Sequence, residues 1–110
     1  MQEAVLRFFD DLDEEVVRLR HERIAEALRP FFAYIERTGI EQLGDLTVDH
    51  IETFIVQELP VVASEGREAA EAWHGITRFV TWCKRRRYAP KLAKAFARKR
   101  SELRWVALGK

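Results

Sequence analysis

A chain of 110 residues, 47% of them hydrophobic and 34% charged, has the size and composition of one globular domain with a real core. It has no charge-free run of about 20 residues, so we expect no membrane span. Residues 1–13 lack the basic start and long apolar stretch of a secretory signal. Cys83 is the single cysteine, which excludes a disulfide within the chain. We expect it to be a small buried hydrophobe in a cytoplasmic protein.

The formal charge divides sharply along the chain. Residues 1–83 carry seventeen Asp and Glu against eight Arg and no Lys, a formal charge of −9. Residues 84–110 carry eleven Lys and Arg against Glu102 alone, a formal charge of +10. Such asymmetry favours a polyanionic partner. The alternative is a basic tail that folds back on the acidic part of its own chain.

The first two predicted elements are helices. Apolar spacing predicts a short amphipathic helix over residues 2–12, and a cluster of acids then indicates a break, with Asp13 as N-cap of the next helix. A second helix is predicted over residues 14–38, kinked or restarted at Pro30. Gly39 follows its last periodic residue and is a natural left-handed stop.

A loop and a short helix follow. In the predicted loop, residues 40–46, we expect Leu43 and Leu46 to reach the core. Thr47 is a good N-cap for a short amphipathic helix that Pro60 should end.

The longest apolar stripe predicts the central helix. It lies within residues 68–87, where apolar residues recur at steps of three and four, and Ser64 is the expected cap. Ala89-Pro90 should interrupt the helix, because a residue before proline avoids helical geometry. A final helix is predicted over residues 91–105. Its inward side chains are expected to be Leu92, Phe96 and Leu103.

These elements predict one all-α bundle of four or five helices. We divide the single domain into an N-terminal helix or arm (1–13), a bundle core (14–90) and a basic C-terminal helix (91–110). The three histidines, His21, His50 and His74, have no metal-type partner at helical spacing, and the sequence has no glycine-rich phosphate loop or nucleophile elbow. We therefore expect no catalytic, metal or cofactor site and no small-molecule substrate.

The basic run near the C-terminus is the one functional signal. On two helices that meet at Pro90, its side chains can line a face suited to phosphates, a contact that positions a protein without reading sequence. The candidate DNA-binding residues are Lys84, Arg85, Arg86, Arg87, Lys91, Lys94, Arg98, Lys99, Arg100 and Arg104. For Trp105, a core position or a contact between copies is expected rather than a stacking surface.

The order of these signals resembles a known domain. Residues 16–90 resemble the N-terminal core-binding, SAM-like domain of tyrosine recombinases (phage integrases), which shows an aromatic-rich helix end, an "L..LT...I..F" segment and a long helix ending in "F..W..RR". The matching residues are Phe32, Tyr34, Gly39, Leu43, Leu46, Thr47, Ile51, Phe54, Phe79, Trp82, Arg85 and Arg86. The resemblance implies an orthogonal helical bundle that forms half of a clamp around duplex DNA.

The resemblance implies DNA binding and not strand cleavage. In that family a separate catalytic domain carries the tyrosine nucleophile, which neither Tyr34 nor Tyr88 matches. The short helix after Thr47 carries three acids that would repel phosphates, so any DNA face should lean on residues 84–104. Expected partners are duplex DNA and, further, a second copy or the catalytic domain of a parent recombinase. The alternative is a helical protein-interaction or self-association module that does not bind DNA.

Overall fold

The computed structural model describes the backbone of residues 2–15 and 18–109. The described residues form helices joined by short connections and contain no strand, which confirms the all-α prediction. The helices are α1 (Gln2–Glu15), α2 (Arg18–Arg37), α3 (Val48–Thr53), α4 (Leu59–Val62), α5 (Gly66–Arg86) and α6 (Pro90–Leu108). Within these ranges, none is both long and apolar enough to cross a bilayer.

The core is built around α5, which packs against both α2 and α6. Phe79 of α5 is fully buried, and its ring centroid lies 5.2 Å from that of Phe8 and 5.1 Å from that of Phe32. The edge-on geometry of these pairs is the favoured one for aromatic rings. The apolar stripe predicted for the central helix therefore becomes the centre of the bundle.

Two small residues of α5 fit the core for different reasons. Gly75 faces α2, where a Cβ atom would lie 2.9 Å from Cγ of Leu28, so the two helices approach as closely as they do because this position has no side chain. Cys83 is fully buried, and burial raises the pKa of its thiol to about 12. The thiol stays protonated at neutral pH, and the prediction of a buried hydrophobe is confirmed.

The break predicted at the acid cluster of α1 is wrong. α1 continues through Asp13 to Glu15, so Asp13 lies inside a helix and is not an N-cap. The expectation rested on carboxylates disfavouring a helix C-terminus. Asp11 escapes that penalty because its carboxylate accepts hydrogen bonds from Trp82 and Arg86 of α5.

α2 continues through its proline and ends as predicted. Pro30 lies within the helix and does not end it. Gly39 has a φ of +81°, which confirms the left-handed stop.

The segment from Thr47 departs from the prediction at its proline. Thr47 is the N-cap of α3, and its backbone N–H donates to Nδ1 of His50 at 3.0 Å. A wider, π-helical turn (Phe54–Glu58) joins α3 to α4. Pro60 lies in the first turn of α4, where a missing N–H costs little, so it does not end the helix.

The N-terminus of α5 also differs. Its N-cap is Glu65 rather than Ser64, whose N–H and hydroxyl instead donate to the Glu68 carboxylate at 3.4 and 3.2 Å. Leu43 and Leu46 are buried, as predicted for the loop.

α6 extends three residues beyond the predicted end. Its inward residues are Leu92, Phe96 and Leu103, and all three are buried, which confirms that prediction. Phe96 packs on Trp73 of α5 with ring centroids 5.7 Å apart.

Candidate nucleic-acid interface

The corner between α5 and α6 is a Schellman turn with an arginine where glycine is usual. Arg87 has φ 59° and ψ 29°. Its N–H donates to the Lys84 carbonyl at 3.1 Å, and the N–H of Tyr88 donates to the Cys83 carbonyl at 3.0 Å. The Tyr88 ring packs on Trp82, with centroids 5.4 Å apart, which supplies the apolar contact typical of this motif.

Arg87 is the only non-glycine residue with positive φ in the described part of the chain. Left-handed geometry costs a residue with a Cβ about 1–2 kcal/mol. Strain of this kind concentrates at functional sites, and here it places an exposed guanidinium at the tip of the corner.

Arg86 is paired within the protein. Its Nη2 and Nε atoms donate to Oδ2 of Asp11 at 2.6 and 3.0 Å, and Nε1 of Trp82 donates to the same oxygen at 2.7 Å. The Trp82 hydrogen bond and then the Arg86 guanidinium lower the pKa of Asp11, and Asp11 in turn raises the pKa of Arg86. This cluster ties α1 to the end of α5.

Lys99 of α6 is also paired, with a residue of α3. Its Nζ donates to the Glu52 carboxylate of α3 at 3.0 Å, and this hydrogen bond raises the pKa of Lys99. Arg85 likewise has an interaction within the chain. Three of the ten candidate residues are therefore engaged by the protein itself.

The other seven candidate residues are exposed, and within the described residues none of them forms an ion pair with a carboxylate. We call them the free cations: Lys84, Arg87, Lys91, Lys94, Arg98, Arg100 and Arg104.

Five of the free cations lie on α6, where its register divides them. Successive residues of a helix turn by about 100°, so Lys91, Lys94, Arg98 and Trp105 fall within an arc of about 60°. We call these four residues the α6 stripe. It points away from the buried side, while Arg100 and Arg104 lie more than about 100° from its centre.

Trp105 does not lie in the core, which was one of the two positions expected for it, and a contact between copies stays a prediction. Its exposed fraction is 60%, so it is not a core residue of this bundle. Trp105 follows Lys91 by fourteen residues, which is nearly four full helical turns, so the two side chains lie on the same outward face. Helical periodicity in the sequence was the signal that could have predicted this position.

Two of the three acids after Thr47 form ion pairs with cations of the chain. Glu52 accepts from Lys99, and Glu58 pairs with Arg37 of α2. Asp49 is exposed. The repulsion expected from this helix is weaker than three unpaired carboxylates would give.

Comparisons with protein-family models, with curated proteins and with solved structures find no match for this chain. The resemblance to recombinase core-binding domains thus depends on the residues of this sequence alone.

Proposed function

We propose that this chain is a non-catalytic module that binds duplex DNA through the end of α5 and α6, as the SAM-like core-binding arm of a tyrosine recombinase does. The observation that carries the proposal is the set of seven free cations. Seventeen acids precede residue 84, yet within the described part of the chain none of them forms an ion pair with any of the seven free cations. The positive charge of the corner and of α6 is left for an external polyanion.

The expected binding is weak and strongly dependent on salt. A module that contacts phosphates without reading bases binds with a Kd of about 10⁻⁴–10⁻⁶ M at physiological salt. If about five free cations contact phosphates, log K should fall with log salt at a slope near −4.5. A flat salt dependence would contradict the proposal.

The test is a charge-removal variant of the α6 stripe. Lys91, Lys94 and Arg98 are exposed, so changing all three to Gln should leave the fold intact. Fluorescence anisotropy with a labelled duplex should then show weaker binding, and the salt slope should shrink by about 2.7, or 0.9 for each lost contact.

A matched variant on α2 gives the control. Arg20, Arg23 and Arg29 are also exposed, and their change to Gln removes the same charge from another side of the bundle. This control should keep the wild-type salt slope. Equal losses in the two variants would show that net charge alone is responsible and would contradict an interface on α6.

One observation favours a second candidate, a self-association module. An apolar groove lies between α2 and α4, with Glu36 and the Arg37–Glu58 ion pair among its lining residues, and it would fit the basic, apolar end of α6 from another copy. The groove is lined by Pro30, Ala33, Glu36, Arg37, Phe54, Glu58, Val61 and Val62. Oligomers that dissociate as salt rises, without DNA binding at any salt, would favour this function over the first.

A further inference from the structure

The exposed tryptophan lies in line with the cations of α6. Trp73 and Trp82 are each only 2% exposed, whereas Trp105 is 60% exposed. An exposed aromatic face beside cations is the combination that single-stranded nucleic-acid-binding surfaces use.

The spacing of the side chains along the α6 stripe suits a single strand whose phosphates contact the cations and whose base stacks on Trp105. From Lys91 to Trp105 the helix rises about 21 Å, at about 1.5 Å per residue. Lys94 and Arg98 lie between these ends, so three cations precede one aromatic face. Cationic tracks of this kind hold phosphates, and aromatic side chains stack on bases that are not already stacked.

Away from its ends, a duplex offers Trp105 no such base, because the faces of its bases are covered by their neighbours in the helix. Unpaired nucleotides beside a duplex offer both parts, a phosphate backbone and a free base. We propose that the α6 stripe binds unpaired nucleotides next to duplex DNA, with Trp105 stacked on a base. This inference rests on the proposed DNA-binding function and names the kind of DNA that the same surface prefers.

One carboxylate lies at the edge of the stripe. Glu102 is exposed, lies one turn after Arg98, and is about 60° around the helix from Trp105. Because this charge repels a nearby phosphate, Glu102→Gln should strengthen binding to unpaired nucleotides.

The test compares a labelled blunt duplex with the same duplex carrying a single-stranded thymine tail of about six nucleotides, within the site sizes typical of single-strand binding. The wild-type chain should bind the tailed duplex about five- to a hundredfold more tightly, the range that one stacked base supplies. Trp105→Ala should lose this advantage and keep blunt-duplex binding, while Trp105→Phe should retain part of it. Val106→Ala is the matched control, since Val106 is a neighbouring exposed apolar residue, and it should behave as wild type.

A second measurement reads the stacking directly. Unlabelled oligothymidine should quench the tryptophan fluorescence of the wild-type chain, because Trp105 is the accessible fluorophore, and should not quench that of Trp105→Phe. Heparin, a polyanion without bases, should not quench either protein. A uridine tail in place of the thymine tail tests for a contact to the sugar, and equal affinity for both tails is expected because the stripe is assigned no such contact.

The outcomes separate the two proposals. No binding to either duplex would overturn the DNA-binding function and this inference together. Binding to the blunt duplex with no gain from the tail, or a gain that survives in Trp105→Ala, would overturn this inference alone. Thermal unfolding of each variant near the wild-type midpoint is expected, since the substituted side chains are exposed.

Discussion

Replacement of Arg87 by glycine should make the protein more stable and a weaker DNA binder at once. Arg87 has φ 59°, in the region that favours glycine. Removal of its Cβ relieves about 1–2 kcal/mol of backbone strain. The greater freedom of glycine in the unfolded chain cancels about 0.5–1 kcal/mol of that gain.

The net stabilisation of Arg87→Gly is therefore about 0–1.5 kcal/mol, and its midpoint of about 0.75 kcal/mol corresponds to a rise in Tm of about 3–6 °C for a domain of this size. Calorimetry or urea unfolding measures this change. In the DNA titration, the loss of one phosphate contact should reduce the salt slope by about 0.9.

Two other substitutions at Arg87 separate strain from charge. Arg87→Lys keeps the charge and the Cβ, so both stability and salt slope should stay close to wild type. Arg87→Asn tolerates the left-handed geometry better but lacks the charge, so it should resemble the glycine variant in DNA binding. A glycine variant less stable than wild type would refute the strained corner, and one with an unchanged salt slope would remove Arg87 from the interface.

Two further predictions concern the fold. Gly75→Ala should destabilise the protein by about 0–2 kcal/mol in urea unfolding, because a Cβ 2.9 Å from Cγ of Leu28 costs about 1–3 kcal/mol and the higher helix propensity of alanine offsets about 1 kcal/mol. A variant more stable than wild type would mean that α2 and α5 separate at little cost. The lowered pKa of Asp11 stabilises the fold fully above the unfolded value, near pH 4, and this stabilisation is lost as pH falls through the folded value. Asp11→Asn should therefore be less stable than wild type at pH 6, with the difference narrowing towards pH 2, and a gap that does not change with pH would contradict the Trp82 and Arg86 contacts.

The helices were largely predictable because their signals are local. Steps of three and four between apolar residues gave the buried faces of α5 and α6, and single residues such as Thr47 and Gly39 gave ends. These signals act within a turn or two of chain, where sequence neighbours are also spatial neighbours.

The misplaced ends have a different origin, since each depends on contacts that sequence spacing does not show. Asp13 was expected to cap a helix, but Asp11 gains partners more than 70 residues away on α5, and α1 continues. Pro60 was expected to stop a helix, but the π-helical turn before it places it in a first turn. Neither the Asp11 contacts nor the π-helical turn leaves a recognisable pattern in the neighbouring sequence.

The candidate site was predictable as a list of residues and not as a surface. Charge counting selects ten basic residues as candidates, but it cannot distinguish Lys99, which pairs with Glu52, from Lys94, which has no carboxylate partner in the described chain. Nor did it indicate the left-handed corner at Arg87, because the usual signal for that geometry is a glycine.

The ion pairs help to explain why the acidic part of the chain does not neutralise its basic C-terminal part. Several of the ion pairs in the described residues join neighbours on one helix, as Arg7 does with Glu3 and Arg67 with Glu71. Such pairs engage carboxylates of the acidic part locally, away from α6. At physiological salt, charges more than about 8 Å apart are largely screened, so distant acids do not cancel the field beside the free cations. An anionic strand that approaches the corner and α6 would therefore meet a positive surface, despite a net charge of only +1.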